Sequence, residues 1–219
     1  MMTRIALGIE YDGSSFHGWQ LQQNLPTIQG ELEFALSKIA NEPIKVFCAG
    51  RTDAGVHAKE QVVHFDTFSS RHHRAWIVGT NTYLPDSIAV QWAREIDERF
   101  HARFSAIARC YQYQIYNHSI RSAIWAHRTT WYPFPLDIER MQLAANFLLG
   151  EHDFSSFRSA QCESHSPMRC SCFRNRRRWG SRRDIYRFLS SVLFCRGGKR
   201  RRFNFRRCGC SLIAAFSKQ

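Results

Sequence analysis

The chain opens on an alternation. Ile5, Leu7, Ile9 and Tyr11 are interleaved with Arg4, Ala6, Gly8 and Glu10, which predicts a strand with one face toward a core. Asp12-Gly13-Ser14-Ser15 breaks the alternation, and Phe16 to Leu25 reads as a loop rich in Gln and Trp. The period then lengthens. Pro26-Thr27 opens a helix, with Thr27 at the N-cap, where its hydroxyl accepts a first-turn N–H. Ile28, Leu32, Ala35, Leu36 and Ile39 fall on one face of it. Strands are predicted at about 44–49 and 60–67, with a glycine-flanked loop at 50–58 between them. His72 to Leu84 reads as a helix that stops before Pro85, and Ser87 to Ile96 as a further strand. The order β-α-β-β-α-β predicts a ferredoxin-like sheet with helices on one face.

A second unit starts near residue 105. Tyr111, Tyr113 and Ile115 alternate with Gln112, Gln114 and Tyr116 in a strand from Arg109 to Asn117, and Pro133 and Pro135 mark a turn. Asp137 caps a helix with Ile138, Met141, Ala145, Leu148 and Leu149 inward and Gly150 as its C′ residue. A strand pair is due next, but from Cys170 onward Ile185 to Phe194 is the one convincing apolar run. The expected fold class is α/β (α+β), built of two ferredoxin-like β-α-β-β-α-β units with antiparallel sheets, the second truncated. The expected divisions are 1–100, with the loop at 50–58; a partial second α/β domain at 101–169; and an Arg/Cys-rich basic tail at 170–219.

Charge sharpens that last boundary. The chain has 219 residues and a net charge of +13, but residues 1–168 hold 15 Lys+Arg against 17 Asp+Glu. Residues 169–219 hold 16 Lys+Arg against the lone acid Asp184. All ten histidines precede residue 169, while Cys170, Cys172, Cys195, Cys208 and Cys210 follow it. The whole-chain average describes neither part. No stretch of 18 apolar residues exists, so no transmembrane helix is expected. The N-terminus has no apolar signal region, so the expected compartment is the cytoplasm.

The candidate chemistry lies in Gly50-Arg51-Thr52-Asp53-Ala54-Gly55-Val56-His57-Ala58. An Asp beside glycine commonly serves only a turn. Here Arg51 is placed to pair with Asp53 and hold it ionised, and Gly50 and Gly55 let backbone approach a flat substrate. An ionised, oriented carboxylate is a competent nucleophile at a sugar or base carbon. His57 reads as a residue that orients the loop, with a general base as the alternative. His17, His57 and His64 lack metal-ligand spacing. His72-His73-Arg74 reads as a solvated helix start, and Trp19, Gln20 and Gln22 serve either RNA contact or packing between domains or subunits.

The loop resembles the catalytic loop of the TruA family of tRNA pseudouridine synthases, and further stretches follow in the family's order. Tyr11-Asp12-Gly13 with Phe16-His17-Gly18-Trp19-Gln20 resembles its first strand and loop. His101-Ala102-Arg103-Phe104-Ser105-Ala106 and Ala108-Arg109-Cys110-Tyr111-Gln112-Tyr113 resemble the entry to its second domain. Gly150-Glu151-His152-Asp153-Phe154-Ser155-Ser156-Phe157 and Gln161-Cys162-Glu163-Ser164 fit as well, so the resemblance covers about residues 3–169. It implies isomerisation of uridine to pseudouridine at positions 38, 39 and 40 of the tRNA anticodon arm, with no metal and no cofactor. It implies a homodimer with tRNA spanning both subunits, and no membrane. Asp53 would be the nucleophile, at C1′ of the ribose or C6 of the uracil. Arg51 would orient it and support a flipped base, and Tyr111 would pack against the target uracil.

Residues 170–219 depart from the family's pattern. A basic RNA-binding tail accounts for the arginine clusters Arg176-Arg177-Arg178 and Arg200-Arg201-Arg202. A zinc site from Cys170, Cys172, Cys208 and Cys210 has poor one-residue spacing. Translation out of frame with the original coding sequence accounts for the abrupt shift to Arg, Cys and Ser, and is the expectation carried forward. A pseudouridine synthase left inactive or impaired by that tail is therefore expected; the alternative is a non-catalytic RNA-binding protein anchored through it.

Overall fold

A computed structural model describes residues 2–153, 168–177, 184–193 and 213–215. It divides into two units, Met1–Ala106 with Ser211–Gln219, and Ile107–Cys210.

In the first unit, β1 (Thr3–Tyr11) is central and pairs antiparallel with β3 (Ala58–Thr67) on one side and β4 (Ile88–Ile96) on the other. The two-residue strand β2 (Phe47–Cys48) pairs antiparallel with β3, and β10 (Ile213–Ala215) adds one parallel partner, Ile213 against Glu60. The order β4-β1-β3-β2 is that of a ferredoxin-like sheet. Helix α1 (Ile28–Ala40) starts where expected, with Thr27 Oγ1 accepting from Gly30 N–H, and ends at Asn41 in the left-handed region. Its buried face, Ile28, Leu32, Ala35, Leu36 and Ala40, meets Ile5, Leu7, Ile9 and Tyr11 of β1 and Val63 and Phe65 of β3 in the main core. The stretch predicted as a second helix is helical but irregular. A π-helical turn (Ala75–Gly79) carries buried Trp76 against Phe65 and runs into α2 (Thr80–Tyr83).

The second face of this sheet is also covered, which the alternation of β1 does not announce. Gly8 lies under the Trp92 indole, whose Nε1 donates to Glu60. Val62 and Ala49 pack with Trp92 and Phe100. Arg4 forms a two-bond pair with Asp66 (2.7 Å each) and donates to Phe100 O, tying the segment after β4 back to the sheet. The Arg4 hydrogen bond holds the Asp66 carboxyl below its ordinary range.

In the second unit, β5 (Ala108–Asn117) pairs antiparallel with β9 (Asp184–Leu193), β9 with β8 (Met168–Arg177), and β8 with β7 (Gly150–Asp153). The short strand β6 (Thr130–Tyr132) lies parallel to β5, just before the expected proline turn. Asp137 caps α3 (Ile138–Asn146), its carboxylate accepting from Arg140 N–H. That helix is shorter than predicted. The N–H groups of Phe147, Leu148 and Leu149 bond three residues back, so the last turn tightens before Gly150 reverses at φ +106°. Strands β8 and β9 run through a stretch where the sequence shows one apolar run. The expectation of an out-of-frame tail over 170–219 concerns, for the most part, residues outside the described ones.

Among the described residues no helix is long and apolar enough to cross a membrane.

Candidate active site

The loop from Gly50 to Ala58 leaves β2 and enters β3, so its ends are held by a sheet. Ala49 N–H donates to Val62 O. The amide of Gln61, fully buried on β3, bonds both backbone groups of Gly50: Oε1 accepts from Gly50 N–H, and Nε2 donates to Gly50 O. A glutamine here supplies the ladder bonds that a longer β2 would have made.

The middle of the loop is held by the chain that follows β1. Thr52 is buried, and its Oγ1 lies 2.8 Å from the Tyr11 hydroxyl. Its carbonyl accepts from Trp19 N–H at 2.9 Å. Gly55 N–H donates to Phe16 O, and Val56 N–H to Asp53 O, which closes a turn around Asp53 with Gly55 at φ +76°. His57 Nδ1 lies 3.0 Å from Asp12 Oδ1 and 3.2 Å from Gly13 N. Two glycines permit this approach. A Cβ on Gly13 would lie 2.1 Å from Val56 O, and one on Gly18 would lie 2.8 Å from Thr52 O. Tyr11, Thr52 and Gln61 are thus buried polar groups with partners, as buried hydroxyls and amides require.

At the tip, Asp53 and Arg51 both have exposed side chains. The ion pair expected between them is not formed. The loop's buried bonds are made by Thr52 and the backbone, and between two exposed charged side chains an ion pair gains little. Tyr111 sits on β5 of the second unit, opposite Ser190 of β9, and is partly exposed.

Other sequence candidates separate by burial. Trp19 is buried beside Tyr11 in the core of the first unit itself, a place that neither RNA contact nor packing between domains or subunits describes, while Gln20 and Gln22 are exposed. His17, His72 and His73 are exposed. His64 is buried, accepts from Ala102 N–H and packs against His101 and Phe47; burial above all, then the charges of His101 and Arg4, pulls its pKa to about 4. Among the described residues no group of three His, Cys, Asp or Glu side chains is placed to hold a metal ion. The side chains of Cys170, Cys172, Cys208 and Cys210 lie outside the described residues.

Sequence reasoning placed Asp53 and Arg51 but missed Gln61, Gly13 and Gly18 as supports of the loop. Gly13 and Gly18 carried a signal, two glycines close together after a strand; Gln61 carried none.

Residues 8–105 match a family model described as tRNA pseudouridine synthase. Proteins named tRNA pseudouridine synthase A are similar over a longer stretch. That of Methylococcus capsulatus is 58% identical over 179 residues, which are 82% of this chain and 66% of the relative. That of Coxiella burnetii is 57% identical over 168 residues, 77% of this chain and 64% of the relative. That of Shewanella sp. strain MR-4 is 59% identical over 166 residues, 76% and 64% of the two chains. The chain spans just under two thirds of the length of these relatives. With the ferredoxin-like unit, the pinned carboxylate loop and this level of identity, the chain belongs to the tRNA pseudouridine synthase A family.

Proposed function

We propose that this chain binds tRNA and isomerises uridine to pseudouridine at positions 38–40 of the anticodon arm, with Asp53 as the nucleophile. The observation that supports the reading is the loop itself: an exposed carboxylate on a turn whose flanking residues, Thr52 and Gly55, are both bonded to the segment after β1. A carboxylate held at its backbone and open at its side chain meets an approaching base in a fixed position. Attack by Asp53 Oδ at C1′ or C6 accompanies cleavage of the C1′–N1 bond. The base turns, C5 bonds to C1′, the Asp53–carbon bond breaks and returns the free carboxylate, C5 gives up its proton and N1 takes one, so the product is an isomer and no external redox partner is needed. The target base must leave its stack first. Arg51 supports the displaced base and orients Asp53 once RNA is bound, and Tyr111 packs against the uracil. The protein works in the cytoplasm as a homodimer. Its rate is lower than that of its relatives, because charge and periodicity change abruptly after residue 169.

The test is pseudouridine formation in a tRNA transcript with uridine at position 39, for the purified chain and Asp53→Ala. The expected result is slow conversion that Asp53→Ala abolishes while tRNA binding is kept. Conversion that survives Asp53→Ala overturns the assignment. Salt-sensitive tRNA binding with no conversion by either protein favours the non-catalytic RNA-binding reading.

A further inference from the structure

Tyr11 and Asp12 are consecutive residues at the end of β1, and they reach the catalytic loop on opposite sides of Asp53. Tyr11 meets Thr52, the residue before Asp53, through a buried hydroxyl pair at 2.8 Å. Asp12 meets His57, four residues after Asp53, at 3.0 Å. We infer that the end of β1 is a two-point clamp that positions Asp53, with Tyr11 and Thr52 as positioning residues for the isomerisation.

Five features carry this. The Tyr11–Thr52 contact spans 41 residues of sequence, so it reports tertiary placement and not local turn geometry. Tyr11 has a rigid platform, since β1 is flanked on both sides by antiparallel partners, Tyr11 pairing with Ala58 and with Ile88, and the ring is buried beside Trp19. The His57 contact survives a change of tautomer. With a proton on Nδ1 the ring donates to Asp12; without it the ring accepts from Gly13 N–H at 3.2 Å. Asp12 is fixed in turn by Ser14, whose N–H and hydroxyl both donate to Asp12 Oδ1, at 3.0 and 2.6 Å. Between the two anchors the loop has one unsupported polar side chain position, and Asp53 occupies it in the open. A displacement of order 1 Å at a reacting group costs about a hundredfold in rate, so a loop carrying the nucleophile on a turn needs anchors on both sides.

The inference rests on the reading of Asp53 as nucleophile, and its test separates the two. Tyr11→Phe removes one oxygen and keeps the ring. Thr52→Val removes the hydroxyl and keeps the shape, and Thr52→Ser keeps the hydroxyl. Two quantities are read in the full chain: hydrogen exchange of the 53–57 amides, with the β1 and β3 amides as the internal reference, and kcat and KM on the tRNA transcript. The expected result for Tyr11→Phe and Thr52→Val is exchange in the loop faster by roughly tenfold, with the strands unchanged. The expected kinetic result is a kcat lower by about tenfold or more with KM held. Thr52→Ser recovers most of both losses, and the double variant Tyr11→Phe/Thr52→Val is no worse than either single one. Unchanged loop exchange overturns the clamp, as does equal acceleration in β1 and β3, or a Thr52→Ser variant as poor as Thr52→Val. If the exchange pattern is as expected while no protein isomerises tRNA, the clamp stands and the isomerase reading falls.

Discussion

Gly18→Ala tests whether close backbone packing places the Asp53 loop. Gly18 has φ +90°, and an added Cβ would stand 2.8 Å from Thr52 O, 3.1 Å from the Asp53 carbonyl carbon and 3.2 Å from Ala54 N. All three are backbone atoms, so no side chain can swing aside; the loop or the Gly18 segment must move. The segment is itself tied down, since Gly18 O accepts from Ile28 N–H at the start of α1 and Trp19 N–H donates to Thr52 O. Gly55→Ala is the control. It has φ +76° and nothing within 4 Å of the added carbon, so it carries the conformational cost without the collision. That conformational cost is about 1–2 kcal/mol for a non-glycine residue in the left-handed region, and overpacking adds about 1–3 kcal/mol. Gly18→Ala is therefore expected to lose about 2–5 kcal/mol, against about 1–2 for Gly55→Ala. With a urea slope of about 2 kcal/mol per M, the Gly18→Ala midpoint falls below that of Gly55→Ala by about 0.5–1.5 M. Urea unfolding followed by far-ultraviolet CD measures both. Equal midpoints would refute the claim that the loop leans on Gly18, whatever the effect on activity.

Two further outcomes follow from the sheet's second face. His64 is neutral in the fold down to about pH 4 but takes a proton near its ordinary 6.5 when unfolded. The unfolded chain therefore binds more protons between those values, and stability present above pH 6.5 is lost as pH falls toward 4. Urea midpoints at pH 7 and pH 5 should differ less in His64→Gln than in the parent; an identical difference would remove the buried imidazole as the cause. Gly8→Ala would set a Cβ 2.0 Å from Trp92 Nε1, forcing the indole off its 3.1 Å bond to Glu60. The expected loss is about 1–3 kcal/mol with an altered near-ultraviolet CD spectrum, and an unchanged thermal midpoint would contradict it.

Legibility followed the range of the interaction. The Thr27 cap, the stripe of α1 and the alternation of β1 are local, and each was readable because the partners lie within a turn or a pleat. The pattern predicts a strand over about 44–49, but β2 forms only Phe47–Cys48, because Ile44 N–H and Val46 N–H donate to the Ser37 and Glu33 side chains of α1 instead of to a neighbouring strand. The apolar stripe predicts α3 through Leu149 with Gly150 as C′, but the helix gives way to three-residue bonds after Asn146. Helical periodicity does not distinguish a tightened last turn from a regular one.

Asp53 illustrates the division at the site. Composition, spacing and resemblance identified the carboxylate, its loop and the family, because chemistry and descent are written in residue identity. What keeps that carboxylate in place was decided in three dimensions. Tyr11 reaches Thr52 across 41 residues, Gly13 and Gly18 are glycines because another segment's backbone passes where a Cβ would sit, and Arg51 does not pair with the Asp two positions away. A one-dimensional pattern records which groups exist and how they recur along a helix or strand. It carries no record of which distant backbone will press against them, and in this loop that contact holds Asp53 in place.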